Sequence, residues 1–309
     1  MVKLVIKETN FSYSKRHLFD ILDLLVEKYN WKYITKDELL DKNFKNNKIF
    51  NNIKHLLLIT GSSEISKFIL PSTCKISYII DDLHTCGDIK QARIDNYNTI
   101  YKIFATYAYC FNKFYPMLSK NKVIWYPHSA RFIIPFNQNP INKILISGRV
   151  TKSQYPNRYK ILEYSENDNF LYYQKPLLNG YRAKNQNDIN NRIYGKKYYE
   201  LLNKYLICFT CDASSSRPYL VAKHFEILAS GSLLFTCNPF TKCYFTELGF
   251  IEGEHYIGCN GKNIKKKIEW LKDPNNKSKI NEIRLKGYNK LQESHKWNDR
   301  INIILNELN

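Results

Sequence analysis

The sequence lacks any apolar run approaching the ~20 residues that would cross a bilayer as a helix. Its first apolar residues, Val2–Ile6, are followed directly by polar ones, so the pattern of a secretory signal peptide is also missing. We therefore expect a soluble protein without a transmembrane segment, located in the cytoplasm. Peripheral contact with a membrane remains open.

Paired cysteine motifs are absent as well. One C-x-x-C, Cys208–Cys211, lies in an apolar segment that we predict to be a strand, where alternate side chains point to opposite faces. A second such pair, which a zinc site of this kind needs, is missing. We interpret the cysteines as buried free thiols in a reducing compartment. The eight cysteines are Cys74, Cys86, Cys110, Cys208, Cys211, Cys237, Cys243 and Cys259.

Acidic residues are few relative to basic ones, 28 Asp and Glu against 47 Lys and Arg, which gives a formal net charge of +19. Such a basic balance suggests nucleic acid as a partner, because a basic surface attracts phosphates. The lysines are spread along the chain, however, with one dense run at Lys262–Lys267, and Lys, Asn, Ile and Tyr are abundant together. This composition is typical of an AT-rich genome, such as that of a large DNA virus, in which case the cytoplasm would be the host's. Nucleic acid is therefore not the favoured partner.

Length and alternation of segments indicate two α/β domains. A chain of 309 residues can hold two domains of about 100–150 residues, each with its own core. In the first half, strand-like and helix-like segments alternate, which predicts a parallel sheet with helices on both faces. The predicted strands there are 4–7, 32–34, 55–60 and 76–80, the helical stretches are 15–28 and 89–104, and the segment 123–130 closes the domain.

A polar, Pro-bearing and Asn-rich segment, Arg131–Asn142, follows and is typical of an interdomain linker. We place the domain boundary near residue 140, because a new apolar strand begins at Lys143. The predicted strands of the second half are 143–149, 206–210 and 232–236, and the predicted helices are 198–205, 264–271, 280–291 and 297–308.

Residues 221–235 carry the most informative pattern of the chain. Apolar residues recur at helical spacing, Gly231 supplies the stop, and an apolar strand follows at once. Lys223 and Glu226 fall on the polar face of this helix, beside the tight turn into the strand. An ordinary surface ion pair at i, i+3 would explain the same two residues.

A second set of polar residues follows the strand that begins at Lys143. Open α/β sheets bind their ligands at the carboxyl ends of the strands, and Gly148 and Arg149 lie at such an end. Gly148 allows a close backbone approach, and the Arg149 guanidinium offers a planar fork of donors to a diphosphate. Lys152 and Arg158 add cations on the following loop. The alternative is a capped surface turn with solvated cations.

The loop 212–219 leads from a strand into the helix that bears Glu226, so its N–H groups lie at a positive helix terminus. Ser216 and Arg217 are candidate ligands of a phosphate there. Ordinary N-capping by Ser215 or Ser216 is the alternative.

In the first half, Asp81, Asp82 and His84 follow an apolar strand and are expected at the carboxyl edge of that sheet. Asp82 or His84 could accept a proton from a substrate hydroxyl there or orient that hydroxyl. An Asx-type turn with a structural histidine is the alternative. We expect no metal at this place.

The pattern Lys223-x-Phe225-Glu226-x-x-Ala229-Ser230-Gly231 resembles the donor segment of GT-B glycosyltransferases, especially the spore-coat glycosyltransferase-like (glycosyl transferases group 1-like) branch. The resemblance covers about residues 123–300. It implies that Glu226, five residues before Gly231, accepts hydrogen bonds from the ribose hydroxyls of a sugar nucleotide. It also implies that Arg149 and Lys152 neutralise the phosphates. Many retaining members carry a second Glu eight residues before this one, where this chain has Pro218.

The resemblance implies an α/β fold of two Rossmann-like domains facing a cleft, with a C-terminal helix crossing back to the first domain. The expected parts are an acceptor domain over 1–140, a nucleotide-sugar domain over 141–290, and the helix over 291–309. The implied activity is transfer of a sugar, with retention and without a metal. The donor would be a UDP- or GDP-sugar, no cofactor would be tightly bound, and the acceptor would be a glycan or a glycosylated protein.

Two other functions remain open from the residues alone. Pro218 in place of the upstream Glu fits a catalytically inactive GT-B-like protein that binds a glycan or a nucleotide. The basic composition fits an α/β protein that binds nucleic acid, whose affinity would fall steeply with salt.

Overall fold

The computed structural model describes residues 1–6, 16–59, 65–81, 91–119, 121–148, 150–166, 168–174, 193, 195–212 and 220–308. The chain divides into two compact units. Unit 1 comprises Met1–Pro127 and Asn298–Asn309, and unit 2 comprises His128–Trp297.

Within its described residues, unit 1 contains a six-stranded parallel sheet in the order β2-β1-β3-β4-β5-β6. The strands are β1 (Val2–Ile6), β2 (Lys32–Ile34), β3 (Ile53–Ile59), β4 (Lys75–Ile80), β5 (Lys102–Ala105) and β6 (Val123–Trp125). The helices are α1 (Arg16–Tyr29), α2 (Lys36–Leu40), α3 (Gln91–Thr99) and α4 (Ala108–Phe114), with short 3-10 turns at Lys42–Asn46, Phe50–Asn52 and Ile65–Lys67.

Alternate residues of these strands form the core on one face of the sheet. Leu4, Leu56 and Ile103 pack there with residues of α4 and its flanks, such as Phe111 and Tyr115. The residues that alternate with them, such as Val5 and Leu57, are fully buried as well. Burial of successive residues is expected for a parallel sheet that is covered on both faces.

Unit 2 contains, in its described part, a five-stranded parallel sheet in the order β11-β10-β9-β7-β8. The strands are β7 (Ile141–Ser147), β8 (Leu171–Gln174), β9 (Tyr205–Cys211), β10 (Leu233–Cys237) and β11 (Ile257–Cys259). The helices are α5 (Pro156–Ser165), α6 (Lys196–Asn203), α7 (Lys223–Ala229), α8 (Lys242–Glu247), α9 (Ile264–Lys272) and α10 (Lys277–Ser294), and α11 (Trp297–Leu308) ends the chain.

The two faces of this sheet carry separate apolar cores, and β9 contributes to both. Cys208 packs on one face and Cys211 on the other, so the C-x-x-C spacing does not bring the two thiols together. Every cysteine among the described residues is a free thiol, as predicted. They are not all buried as predicted, since Cys243 on α8 is exposed and Cys74 is partly buried.

The units separate after Pro127, earlier than the boundary that we predicted near residue 140. The polar segment after Pro127 is bound to unit 2. The Ile134 N–H donates to the carbonyl of Ala229, at 3.1 Å, and the Tyr288 hydroxyl donates to the carbonyl of Ile134, at 2.9 Å. Arg284, which is 1% exposed, donates to the carbonyls of Gly231 and Asn137. Contacts distant in sequence therefore make this segment a part of unit 2 rather than a free linker.

The last helix, α11, begins at Trp297, and from Asn298 onward its residues belong to unit 1. Arg300 donates through Nε to the carbonyl of Pro127, at 2.9 Å, and Lys102 forms an ion pair with Glu307, at 2.7 Å. The C-terminal helix therefore returns to the first unit, as expected for the predicted fold, and the returning segment begins at Asn298, later than the residue 291 that we predicted.

One segment that we predicted to be helical ends in a strand. The stretch 89–104, predicted as helical, contains α3 and then the strand β5, which pairs with β4 and β6. The helical pattern ends near Thr99, and four residues of β5 are too few to show a period of their own.

Candidate functional site

The helix α7 and the carboxyl end of β7 form the centre of the candidate site in unit 2. Phe225, Ile227 and Leu228 are fully buried and fix α7 against the sheet. Gly231, with φ of 72°, directs the chain from this helix into β10. The other face of α7 carries Lys223 and Glu226, which are both partly buried.

Lys223 reaches from α7 to the end of β7. Its ammonium donates to the main-chain carbonyl of Ser147, at 2.7 Å, and lies 5.6 Å from the ring centroid of Tyr198. Burial, and then the charge of Arg158, lower the pKa of Lys223 below the usual range of a lysine. A neighbouring anion would stabilise the charged form of a lysine held in this position.

Glu226 lies one helical turn further along the same face. Among the residues that the structure describes, no side chain or main-chain group donates a hydrogen bond to its carboxylate or pairs with it at ion-pair distance. Burial raises the pKa of Glu226, and the Lys223 charge opposes this rise. Lys223 and Glu226 therefore do not form the surface ion pair at i, i+3, because the Lys223 ammonium is hydrogen-bonded to the Ser147 carbonyl of β7 instead.

Gly148 lies directly beneath the Lys223 ammonium. Its φ is 93°, in the left-handed region that favours glycine, and a side chain here would collide with Lys223 Nζ. The preceding residue contributes a side-chain bond, because the Ser147 hydroxyl lies 2.8 Å from the hydroxyl of Tyr198 on α6. The end of β7 is thus fixed from two helices.

Arg158 was expected on the loop after β7, and this was wrong. The loop ends at Tyr155, and Pro156 begins α5, so Arg158 lies in the first turn of a helix and is only 3% exposed. Its guanidinium lies 4.3 Å from the ring centroid of Tyr155 and bonds to the Thr210 hydroxyl, at 3.4 Å. A methyl group placed on Gly148 would lie 3.5 Å from its Nη1, so this buried cation borders the same glycine.

The structure brings together Gly148, Arg158, Lys223 and Glu226 of the predicted site. Lys152 is exposed, and its ammonium lies 5.5 Å from the ring centroid of Tyr159. The other predicted site residues lie outside the described residues, namely Asp82, His84, Arg149, Ser216 and Arg217, together with Pro218.

Two further residues were not predicted for this site. Asp212 directly follows β9, is fully buried, and accepts hydrogen bonds from the N–H groups of Phe240 and Thr241, at 3.0 and 3.1 Å, and from the Thr241 hydroxyl. Burial raises the pKa of Asp212 to about 7. Tyr198 is the second, since its hydroxyl contacts Ser147. The sequence signal for Asp212 was its place at the end of an apolar strand.

His224, next to Lys223, has a structural role. It is fully buried, with Nε2 3.0 Å from the Thr236 hydroxyl and Nδ1 3.1 Å from the carbonyl of Val221. Burial lowers the pKa of this imidazole to about 3.

Across the described ranges, no group of three or more His, Cys, Asp or Glu side chains is arranged to hold a metal ion. In the same part of the chain, no helix is both long and apolar enough to span a membrane.

The family described as Glycosyl transferase-like matches residues 139–306, which is more than half of the chain. The chain belongs to this family. The match includes β7, α7 and the site residues of unit 2. No curated protein sequence matches this chain.

Solved structures agree with the glycosyl transferase-like assignment at the level of the fold. A glycosyltransferase from Rickettsia africae is 12% identical, with a TM-score of 0.63, over 99% of this chain and 97% of that one. HepE from Anabaena, solved with UDP and glucose, is 10% identical, with a TM-score of 0.59, over 100% of this chain and 99% of that one.

TarM from S. aureus, solved as a point mutant with fondaparinux, alpha-GlcNAc-glycerol and UDP, is 13% identical, with a TM-score of 0.59, over 86% of this chain. This chain spans 58% of that TarM chain. These structures are GT-B glycosyltransferases, so the predicted fold of two Rossmann-like domains is confirmed.

Proposed function

We propose that unit 2 of this glycosyl transferase-like protein binds a nucleotide-sugar and that the protein transfers the sugar to a glycan or a glycosylated protein held by unit 1. The observation that carries the proposal is the Glu226 carboxylate. It lies five residues before the Gly231 turn, on a helix fixed by buried side chains, and no described group occupies it. A partly buried carboxylate in this position accepts two vicinal hydroxyls, as the ribose of a nucleotide offers them.

Two cations support binding of the diphosphate of the same donor. Lys223 and Arg158 border Gly148, where the absence of a side chain leaves room for the Lys223 ammonium. Arg158 is buried and fixed, so it would stabilise an anion without reorganising. We assign Lys223, Arg158 and Gly148 to the phosphate end of the site and Glu226 to the ribose end.

The proposed reaction breaks the bond between the anomeric carbon and the diphosphate oxygen, and forms a bond from that carbon to an acceptor oxygen. The acceptor hydroxyl loses its proton, and the nucleoside diphosphate leaves with one additional negative charge. Lys223 and Arg158 would stabilise this developing charge, which is the role that a divalent ion has in other enzymes. We therefore propose a metal-independent transfer. The family resemblance favours retention.

The donor that we propose is a UDP-sugar. HepE and TarM, which share the fold, were both solved with UDP. A GDP-sugar is the alternative donor. Asp82 and His84 are proposed as the residues that orient or deprotonate the acceptor hydroxyl, because they follow the strand β4.

The test is a thermal shift of the protein with UDP- and GDP-sugars, without added metal. A ligand that binds only the native state raises the melting temperature. We expect a rise with UDP-glucose or UDP-GlcNAc that is lost in Glu226→Gln, which keeps the shape of the side chain and removes the charge. Glu200→Gln, at an exposed position of α6, is the matched control and should keep the full rise.

Absence of a rise with every nucleotide-sugar would overturn the proposal. A rise without release of UDP in the presence of acceptor glycans would instead favour the inactive nucleotide-binding protein. The observation that favours this second function is Pro218, which occupies the position where many retaining relatives have a Glu.

A further inference from the structure

Three cysteines lie side by side at the carboxyl edge of the sheet in unit 2. Cys211, Cys237 and Cys259 are the last residues of β9, β10 and β11. In the parallel register, Cys237 is paired with Cys211 on one side and with Cys259 on the other. Paired residues of neighbouring strands project from the same face of a sheet, and all three side chains belong to the same apolar core. We call these three side chains the thiol row.

The thiol row is buried and chemically free. Cys211 and Cys237 are fully buried, Cys259 is 8% exposed, and all three are free thiols. The core around them includes Ile268 of α9. Cys259 lies on β11, which ends the sheet in the described part of unit 2, and the next residue, Asn260, is exposed. The row can therefore be reached from the surface beside Cys259.

Two members of the thiol row are in contact. The Cys259 thiol shares a hydrogen bond with Cys237, and this bond, followed by burial, raises the pKa of Cys259, while the charge of Lys267 opposes the rise. Burial raises the pKa of Cys211 to about 11, and the charge of Arg158 opposes that rise. Both thiols are therefore protonated at neutral pH. Because oxidants react with thiolates rather than thiols, the row is protected from simple oxidation.

The spacing of the thiol row does not suit a disulfide. Neighbouring strands are about 4.8 Å apart, and side chains stand nearly perpendicular to the sheet, so the Cβ atoms of paired residues are separated by about the same distance. A disulfide needs about 3.5–4.5 Å between Cβ atoms. A bridge between paired cysteines would therefore pull the strands together.

A closed zinc site does not fit the thiol row either. Structural zinc takes four ligands in a tetrahedral arrangement. Cys211 and Cys259 are two strand spacings apart, about 10 Å, so the three sulfur atoms do not surround one point. This agrees with the lack, among the described residues, of any group of three or more ligands arranged around a metal ion. The row offers pairs of neighbouring thiols.

Two thiols at the strand spacing suit a soft cation with two ligands. Cu(I) is selected by thiolates and accepts two of them on opposite sides of the ion. With metal–sulfur bonds of about 2.3 Å, as in zinc thiolates, the two sulfur atoms lie about 4.6 Å apart, close to the spacing of the strands. The apolar core around the thiol row excludes water as a competing ligand.

We propose that Cys237 and Cys259 bind one soft monovalent cation of the Cu(I) class, at a site separate from the donor site. The ion forms one bond to each sulfur and displaces the proton of each thiol, so two protons are released and no electron is transferred. The resulting S–Cu–S group carries one negative charge. Lys267 of α9, whose charge already acts on the Cys259 thiol, offsets part of this charge.

Cys259 suits Cys237 as a partner better than Cys211 does. The Cys259 thiol already contacts Cys237 and lies at the accessible end of the row, whereas Cys211 is fully buried. An ion that enters from the surface therefore meets Cys259 and Cys237 first. Neither residue belongs to the proposed donor site, so this inference does not depend on the proposed function.

The experiment measures the Cu(I) retained by the reduced protein, without oxygen, in competition with the coloured chelator bathocuproine disulfonate. We expect one ion per chain. Loss of an outer-shell partner already weakens metal binding about 10–100-fold, so Cys237→Ala and Cys259→Ala should each lower the affinity at least about a hundredfold. Cys208→Ala is the matched control, because Cys208 is a 1% exposed free thiol on the other face of the same sheet. It should keep the full affinity, as should Cys243→Ser, which removes an exposed thiol.

X-ray absorption at the copper edge gives a second readout on the parent protein. We expect two sulfur ligands and no nitrogen or oxygen ligand. A shell of nitrogen or oxygen, or equal affinities of Cys237→Ala and Cys208→Ala, would overturn the site. Loss of affinity in Cys211→Ala, with retention in Cys259→Ala, would overturn the assigned pair.

The melting temperature of each variant without the ion separates a folding defect from a lost ligand. Cys237→Ala and Cys208→Ala remove the same group from the same sheet, so their melting temperatures should fall by similar amounts. If Cys237→Ala does not fold, Cys259→Ala at the margin of the core and the copper-edge spectrum of the parent protein decide the question. Glu226→Gln, which should lose the donor, should bind Cu(I) as the parent protein does.

Discussion

Lys223 and Ser147 are joined by a 2.7 Å hydrogen bond from the ammonium to the main-chain carbonyl, although they are 76 residues apart in sequence. This bond connects the first residue of α7 to the last residue of β7. It places a cation at the carboxyl edge of the sheet and leaves Glu226 without an intramolecular partner among the described residues. The two halves of the proposed donor site thus depend on one contact.

Substitution Lys223→Met should therefore weaken nucleotide binding more than it weakens the fold. The variant loses a cation beside Gly148 and leaves the Ser147 carbonyl without its donor. A hydrogen bond to a charged group is worth about 1.5–3 kcal/mol, so we expect the Kd for UDP to rise roughly tenfold to a hundredfold. Isothermal titration calorimetry measures this, with Lys197→Met on exposed α6 as the control. Equal affinities of the two variants would remove Lys223 from the site.

Substituting Gly148 and Gly195 separates two effects on stability: the backbone strain of a positive φ, and the clash of a new side chain with Lys223. Gly148 and Gly195 have φ of 93° and 57°, but nothing lies within 4 Å of a methyl group placed on Gly195. The ψ of Gly195 is −139°, outside the left-handed helical region, so Gly195→Ala should cost about 1–3 kcal/mol of the free energy of unfolding, from backbone strain alone. Gly148→Ala should cost more and should also abolish the thermal shift with UDP-sugars, since it displaces Lys223. Urea unfolding of both variants checks this, and equal losses would contradict the contact.

Acid should destabilise unit 2 through His224. The folded imidazole has its pKa lowered from 6.5 to about 3, so between these values the unfolded chain binds a proton that the folded chain does not. The contribution of His224 to stability is therefore complete above about 6.5 and is lost as the pH falls toward 3. In His224→Gln, the free energy of unfolding should depend less on pH in this window. His255 is less buried, so His255→Gln should reduce the pH dependence of the free energy of unfolding less than His224→Gln does.

Arg284 should be a major source of stability in unit 2. Its guanidinium donates to the carbonyls of Gly231 and Asn137 and lies 4.1 Å from the ring centroid of Phe136. Arg284→Met leaves two carbonyls without donors, and we expect a loss of about 3 kcal/mol or more in the free energy of unfolding. Lys286→Met, on the exposed face of the same helix, should change it by less than about 0.5 kcal/mol. A similar small loss in Arg284→Met would show that the buried arginine is replaceable.

The sequence by itself determined the class of fold and the helix that carries Lys223 and Glu226. Strand and helix periods, the stop at Gly231 and the spacing from Glu226 to Gly231 are local, so they can be recognised from neighbours along the chain. The last helix was predicted with the bounds that the structure gives, Trp297–Leu308, for the same reason.

Only the tertiary structure decided which partners the charged residues have. Arg158 is buried in a helix instead of lying on a loop, Lys223 bonds to Ser147 instead of Glu226, and Arg284 attaches the segment after Pro127 to unit 2. These contacts join residues far apart in the sequence. Their energies depend on burial and on groups that the packing of helices against the sheet brings near, and no local pattern of the chain records that packing.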